Sequence, residues 1–112
     1  MKSFNIDEIK NDVEKLTKEY FGELLDKVIL YGSFARGDFD EESDVDFAVF
    51  LNLEESKISN YMNEVTEITS NLSIKYGIIV SLVLISNFTF DKYKDVLPFY
   101  KNLVKEGKIV YG

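Results

Sequence analysis

The chain predicts an α/β domain in which a small sheet packs against helices. Three observations point there: two stretches carry apolar residues at steps of three and four, other stretches are short and either apolar throughout or alternating with a period of two, and glycines punctuate the changes. A length of 112 residues suits a single domain over 1–112 with one core, and leaves no room for a separate domain to grip a large substrate.

Taken in order, Ile6, Ile9, Val13, Leu16 and Tyr20 lie on one stripe and predict an amphipathic helix over 7–20, with Asn5 or Asp7 as its cap and Gly22 as a terminator. Val28-Ile29-Leu30-Tyr31 is apolar and partly β-branched, a buried strand that begins near Lys27 and ends at Gly32. Gly32-Ser33 then opens a short helical turn. From Asp44 the chain alternates, with Asp44, Asp46, Ala48 and Phe50 on one side and Val45, Phe47, Val49 and Leu51 on the other, so the two aspartates share a face of a second strand. Ile58, Met62, Val65, Ile68 and Leu72 predict a second helix that ends before Gly77. Residues 78–85 are apolar except for Ser81, the pattern of a strand buried on both faces. A loop or short turn is expected around Ser86-Asn87-Phe88-Thr89, then a last helix from Asp95 or Pro98 to Gly107, with Pro98 in its first turn, and a short edge strand at Lys108-Ile109-Val110-Tyr111. Tyr93, Phe99, Tyr100 and Tyr111 are read mainly as packing residues.

Composition narrows the function classes. A formal charge of −7 argues against an extended nucleic-acid surface, but it is compatible with a small nucleotide carried by Mg²⁺ or with a basic protein partner. Histidine is absent, which removes a histidine base, a Ser-His-Asp triad and every histidine-ligated metal centre; cysteine is absent too, which removes disulfides and zinc-thiolate sites. No apolar run approaches the length that spans a bilayer, and Met1-Lys2-Ser3-Phe4-Asn5 leads into charged helix-like sequence, not an export signal. A soluble, cytoplasmic protein is the expectation.

The chemistry concentrates in one stretch. After Gly32-Ser33 come ten intervening residues and then Asp44-Val45-Asp46. Mg²⁺ takes hard oxygen ligands, and two carboxylates on one rigid strand would hold it with little rearrangement. Gly32 lets the backbone approach phosphate without a Cβ in the way, and Ser33 offers a hydroxyl and an N–H. The competing reading is a plain turn and a solvated strand end. Arg36, inside the spacer, is suited either to stabilising phosphate charge or to bracing Asp38, Asp40 or a motif aspartate. Phe34 and Phe39 are suited to stacking on a base or, more simply, to anchoring the loop; Asp40, Glu41 and Glu42 read as a solvated turn. A calcium loop is excluded because Ser43 and Val49 stand where its glycine and glutamate belong, and no Gly-Lys-Ser/Thr follows to make a Walker A loop.

This stretch resembles the nucleotidyltransferase superfamily that includes DNA polymerase beta, whose signature is a glycine-serine pair, a spacer and an Asp-x-Asp pair on the next strand. With Arg36-Gly37 in the spacer and Ser43 before Asp44, it is most similar to the minimal nucleotidyltransferases. The resemblance implies a nucleotidyltransferase fold with a mixed sheet and metal-dependent transfer of a nucleoside monophosphate. Asp44 and Asp46 would be the catalytic, Mg²⁺-binding pair, and Gly32, Ser33 and Arg36 would bind the nucleotide. It implies ATP as donor and a tyrosine hydroxyl of a HEPN-domain toxin as acceptor, so that the chain acts as an antitoxin by adenylylation. The implied assembly is a hetero-oligomer, or a homodimer when alone. In the family a neighbouring strand often adds a third carboxylate; here that position falls on Ser81, and the chain shows no obvious general base. An antitoxin that neutralises its partner by direct binding, without turnover, is therefore the alternative, and a nucleotide sensor is a third.

Overall fold

The computed structural model describes residues 5–40 and 42–112. Met1-Lys2-Ser3-Phe4 and Glu41, read above as leader-free start and solvated turn, lie outside the described residues. The first helix, α1 (Ile6–Phe21), begins where the Asn5 side chain accepts the N–H of Asp7 at 2.8 Å and ends at Gly22. Its buried line is Ile9, Val13, Thr17 and Phe21, with Leu16 partly covered and Tyr20 turned outward, against the expected stripe. Thr17 tolerates full burial because its hydroxyl donates to the Val13 carbonyl at 2.7 Å.

The chain continues through β1 (Leu25–Tyr31), the one-turn α2 (Ser33–Arg36), β2 (Val45–Leu51), α3 (Glu55–Ile58), α4 (Met62–Tyr76), β3 (Val80–Ser86), α5 (Asn87–Tyr93), α6 (Pro98–Glu106) and β4 (Lys108–Tyr111). The sheet is mixed, in the order β3-β2-β1-β4, with β2 and β3 parallel and the other pairs antiparallel. The crossover that a parallel pair requires is supplied by α3 and α4. Among the described residues no helix is long and apolar enough to cross a membrane.

Both faces of the sheet carry a core. The alternation along β2 sends Val45, Phe47, Val49 and Leu51 into the larger cluster with residues of α1 and α4, and Ala48 and Phe50 into the smaller one with Ile29, Ile85, Phe90 and Leu103. Each such side chain is worth roughly 1.5–3 kcal/mol when buried, so a one-residue slip of β2, which would exchange the faces, is strongly disfavoured. That register also decides which face Asp46 joins.

Three expectations are corrected. The second helix is not continuous: α3 is followed by a tight turn at Ser59–Tyr61 before α4 starts, and Met62 is 44% exposed at that start, outside the core. The run 78–85 is not a strand buried on both faces; β3 is an edge strand, and Ile79 and Val83 are 58% and 37% exposed. The segment after Ser86 is helix, not loop, since the buried Ser86 hydroxyl caps α5 by accepting the N–H of Thr89. The last helix starts at Pro98 as expected, and β4 forms the other edge.

Candidate functional site

The antiparallel ladder of β1 and β2 sets Tyr31 opposite Asp46, and the parallel ladder of β2 and β3 sets Ser81 opposite the same aspartate. Residues paired in a ladder share a face, so Tyr31, Asp46 and Ser81 form one row at the end of the smaller core. On its α6 side the row is closed by Phe99, whose ring meets Tyr31 edge to face at 5.5 Å.

Where β1 ends, Gly32 adopts φ 78° and ψ −157°, a region open essentially to glycine alone. Space restricts the position as much as conformation does: a Cβ on Gly32 would stand 2.7 Å from Oδ2 of Asp46. The Gly32 carbonyl accepts the N–H groups of Ala35 and Arg36, both at 3.1 Å, which winds α2 with Ser33 as its first residue. Phe34 and Ala35 bury and pin this turn, and Phe34 stacks on Phe39 with centroids 4.3 Å apart, so the two rings anchor the loop to one another.

The loop then returns through a side-chain-built turn. Asp40 accepts the N–H of Glu42 at 2.9 Å and donates its own N–H to the Ser43 hydroxyl at 2.9 Å, which delivers Asp44 to the position just ahead of β2. Asp44 is exposed and Asp46 half-buried. The solvated turn expected at Asp40 and Glu42 is what the structure has.

Electrostatics mark Asp46. Burial, then the negative charge of Asp44, raises its carboxyl above the usual carboxylate range, while the Arg36 guanidinium pulls weakly the other way. Burial, followed by the Asp46 charge, pushes the Tyr31 phenol up to about 12. Arg36 itself is braced, with Nε 3.1 Å from Oδ2 of Asp38 and Nη1 3.5 Å from Oε2 of Glu106 on α6. Of its alternative partners, Asp38 is therefore the one engaged, with Glu106 added from the far end of the chain.

The carboxylate of Asp46, whose ionisation is disfavoured by burial and by the charge of Asp44, and Asp44 itself are hard oxygen donors that fit a divalent cation such as Mg²⁺. Among the described residues no group of three or more acidic, histidine or cysteine side chains gathers to hold a metal, and Ser81 is the residue of β3 paired with Asp46.

The residues that sequence reasoning missed are on α6. Tyr31, Gly32 and Arg36 on one side, and Phe99, Asn102 and Glu106 on the other, line a cavity of about 190 Å³. Positions 99, 102 and 106 fall on one face of a helix, which is visible in the sequence, but nothing local ties that face to a motif so much earlier in the chain.

Comparison with known proteins gives a consistent result. The family described as nucleotidyltransferase domain matches residues 6–111. A candidate protein adenylyltransferase of Methanocaldococcus jannaschii is 33% identical over 103 residues, covering 92% of this chain and 94% of its own length. A second from the same organism is 40% identical over 79 residues, 70% of this chain and 74% of its own. Among solved structures, the fold is shared with a chain of a toxin-antitoxin crystal structure with AMP-PNP, at TM-score 0.61 and 21% identity over 92% of this chain and 73% of that one. It is also shared with a chain from the complex of a tri-AMPylated Shewanella oneidensis HEPN toxin with an MNT antitoxin, at TM-score 0.56 and 19% identity over 95% and 72%.

Proposed function

The chain belongs to the nucleotidyltransferase domain family, and from that premise we propose that it transfers AMP from ATP to a hydroxyl group, of tyrosine, on a HEPN-domain partner and so acts as an antitoxin. The observation that supports this reading is the junction of Gly32 with Asp46, which brings the glycine-serine bend against the second aspartate of the motif. The relatives classed as protein adenylyltransferases, and the structural neighbours captured with AMP-PNP or with an AMPylated toxin, support the donor and the kind of acceptor.

In this reading Gly32 and Ser33 present backbone and hydroxyl to the triphosphate, and Asp44 and Asp46 are the residues that would hold Mg²⁺. When bound, the metal supplies positive charge against the polyphosphate. The acceptor oxygen forms a bond to the α-phosphorus as the bond from that phosphorus to the bridging oxygen breaks; pyrophosphate leaves with the electron pair, and the hydroxyl proton passes to solvent. The chain contributes alignment of the reacting groups.

The test is the mass of a HEPN partner after incubation with this chain, ATP and Mg²⁺. Gain of whole adenylyl units with the wild-type chain, lost in the Asp44→Asn/Asp46→Asn double variant, is the expected result. An unchanged mass with the wild type overturns the reading. One observation favours a second reading: with Ser81 beside Asp46 in place of an acid, the domain would neutralise its partner by contact alone. Neutralisation that survives the double substitution at equal expression selects it.

A further inference from the structure

The two edges of the sheet are guarded differently. β4 is four residues long, carries Lys108 and pairs with β1 through a register shift, all of which protect an exposed edge. β3 is seven residues long, holds neither charge nor proline, and pairs with β2 from Val45/Val80 to Leu51/Ser86 without a shift. We propose that this open edge takes an extended segment of the acceptor protein as a fifth strand, and that the segment carries the hydroxyl that is modified. The inference rests on the transferase reading and adds to it how the acceptor is held.

The backbone supplies the first argument. The Ile79 carbonyl accepts the Val45 N–H at 2.9 Å and so faces β2, while the outward N–H of Val80 is taken by the Ser73 hydroxyl of α4, also at 2.9 Å. Peptide groups alternate along a strand, so Leu82 and Leu84 turn their N–H and C=O groups outward, and among the described residues no strand pairs with them there. Strand addition draws its affinity from such groups.

The surroundings supply the second. Along this edge α4 and β3 bound a groove of about 660 Å³ that includes Met62, Thr66, Ser70, Ile79 and Val83, and none of its lining residues is charged. Met62, Ile79 and Val83 are exposed there. The groove therefore suits an uncharged segment with apolar side chains at alternate positions.

The direction of attack decides the occupant. Transfer at phosphorus sets the attacking and leaving oxygens roughly in line. With the triphosphate at Gly32 and Ser33, pyrophosphate leaves on the β1 side of Asp46, so the acceptor enters from the β3 side, across Ser81. A residue of the added strand in register with Ser81 extends the row of Tyr31, Asp46 and Ser81. It stands two strand spacings, about 10 Å, from Asp46, a gap for the long side chain of tyrosine and not for that of serine. A second copy of the chain is the less suited occupant, since each brings a charge of −7.

The experiment uses a HEPN-domain protein as acceptor and two variants that obstruct the groove at exposed positions away from the acidic pair, Ser70→Arg on α4 and Val83→Lys on β3. In each, KM for the acceptor protein should rise about tenfold or more, the cost of an edge hydrogen bond or a charge left unpaired. AMP-PNP affinity should stay at the wild-type value, which also verifies the fold. Amide exchange gives the direct reading: the Leu82 and Leu84 N–H groups should exchange at least about tenfold more slowly once the acceptor protein is added, while those of Ser81 and Val83, bonded to β2, are slow in both states. Wild-type transfer with a KM that neither variant moves, or Leu82 and Leu84 amides that stay open, overturns the strand addition while the transferase reading stands. A wild type that sediments as a dimer and is made monomeric by Val83→Lys assigns the edge to a second copy and overturns it as well. No transfer by the wild type overturns both.

Discussion

Gly32 and Asp46 are in mutual contact range: the space a side chain would need at the first is taken by Oδ2 of the second. Gly32→Ala therefore imposes a strained backbone, at roughly 1–3 kcal/mol, and displaces the carboxylate. Urea denaturation should register the loss of stability, and transfer should fall at least about tenfold, since small misplacements of reacting groups are costly. Gly37→Ala is the control. It shares a positive φ of 84° but has nothing within 4 Å of its Cβ, so it should lose stability and keep transfer.

Asp46 is expected to destabilise the metal-free protein. Its folded carboxyl titrates above the unfolded value, so both states are protonated at low pH and the penalty is absent there. As pH rises, the unfolded chain ionises first, and stability falls until the folded pKa is passed, after which the deficit is constant. Asp46→Asn should melt higher than wild type at neutral pH in the absence of metal, with the difference vanishing below the ordinary carboxylate range. Added Mg²⁺ should raise the wild-type melting temperature and leave that of the variant unmoved.

Tyr31 gives a signal at the other end of the scale. Its folded pKa of about 12 lies above the unfolded value, so the stability it contributes is complete below roughly pH 10 and is lost as pH climbs through the folded pKa. The tyrosinate absorbance of wild type minus that of Tyr31→Phe should show a single group titrating near that value. Substituting Asp46→Asn as well should move it down, because the carboxylate charge is the second cause of the shift.

Gly107 is constrained by packing alone, since its φ of −67° suits any residue. A Cβ there would stand 2.5 Å from the Leu103 carbonyl oxygen and closer still to Cγ2 of Ile29. Gly107→Ala should cost about 1–3 kcal/mol by overpacking, read as a lower denaturation midpoint with an unchanged slope.

Much of this arrangement is legible in the sequence where local chemistry decides. Asn5 and Gly22 bound α1 because one supplies an acceptor and the other ends the turn; the alternation from Asp44 to Leu51 sorts two cores because a strand has only two faces. What escaped depends on neighbours. Ser86 reads as a turn residue until its hydroxyl is seen capping α5, and an apolar Val83 cannot reveal that its strand lies at the sheet edge and leaves it exposed. At the site, Gly32, Ser33, Asp44 and Asp46 are adjacent enough in the chain to be read together. Phe99, Asn102 and Glu106 reach them only through the fold; of the two braces on Arg36, Asp38 is within reach of a sequence reading and Glu106, seventy residues away, is not.

Helix α6 is fastened at both ends by the chain itself. Pro98 fixes its entry, Gly107 seats its exit against Ile29, and the strand that follows zips alongside β1. Its inner face is thus ready-made, and an incoming molecule meets a standing wall instead of having to raise one. Association should consequently be quick and leave the helical spectrum unaltered, with little of the interaction energy consumed in ordering the protein.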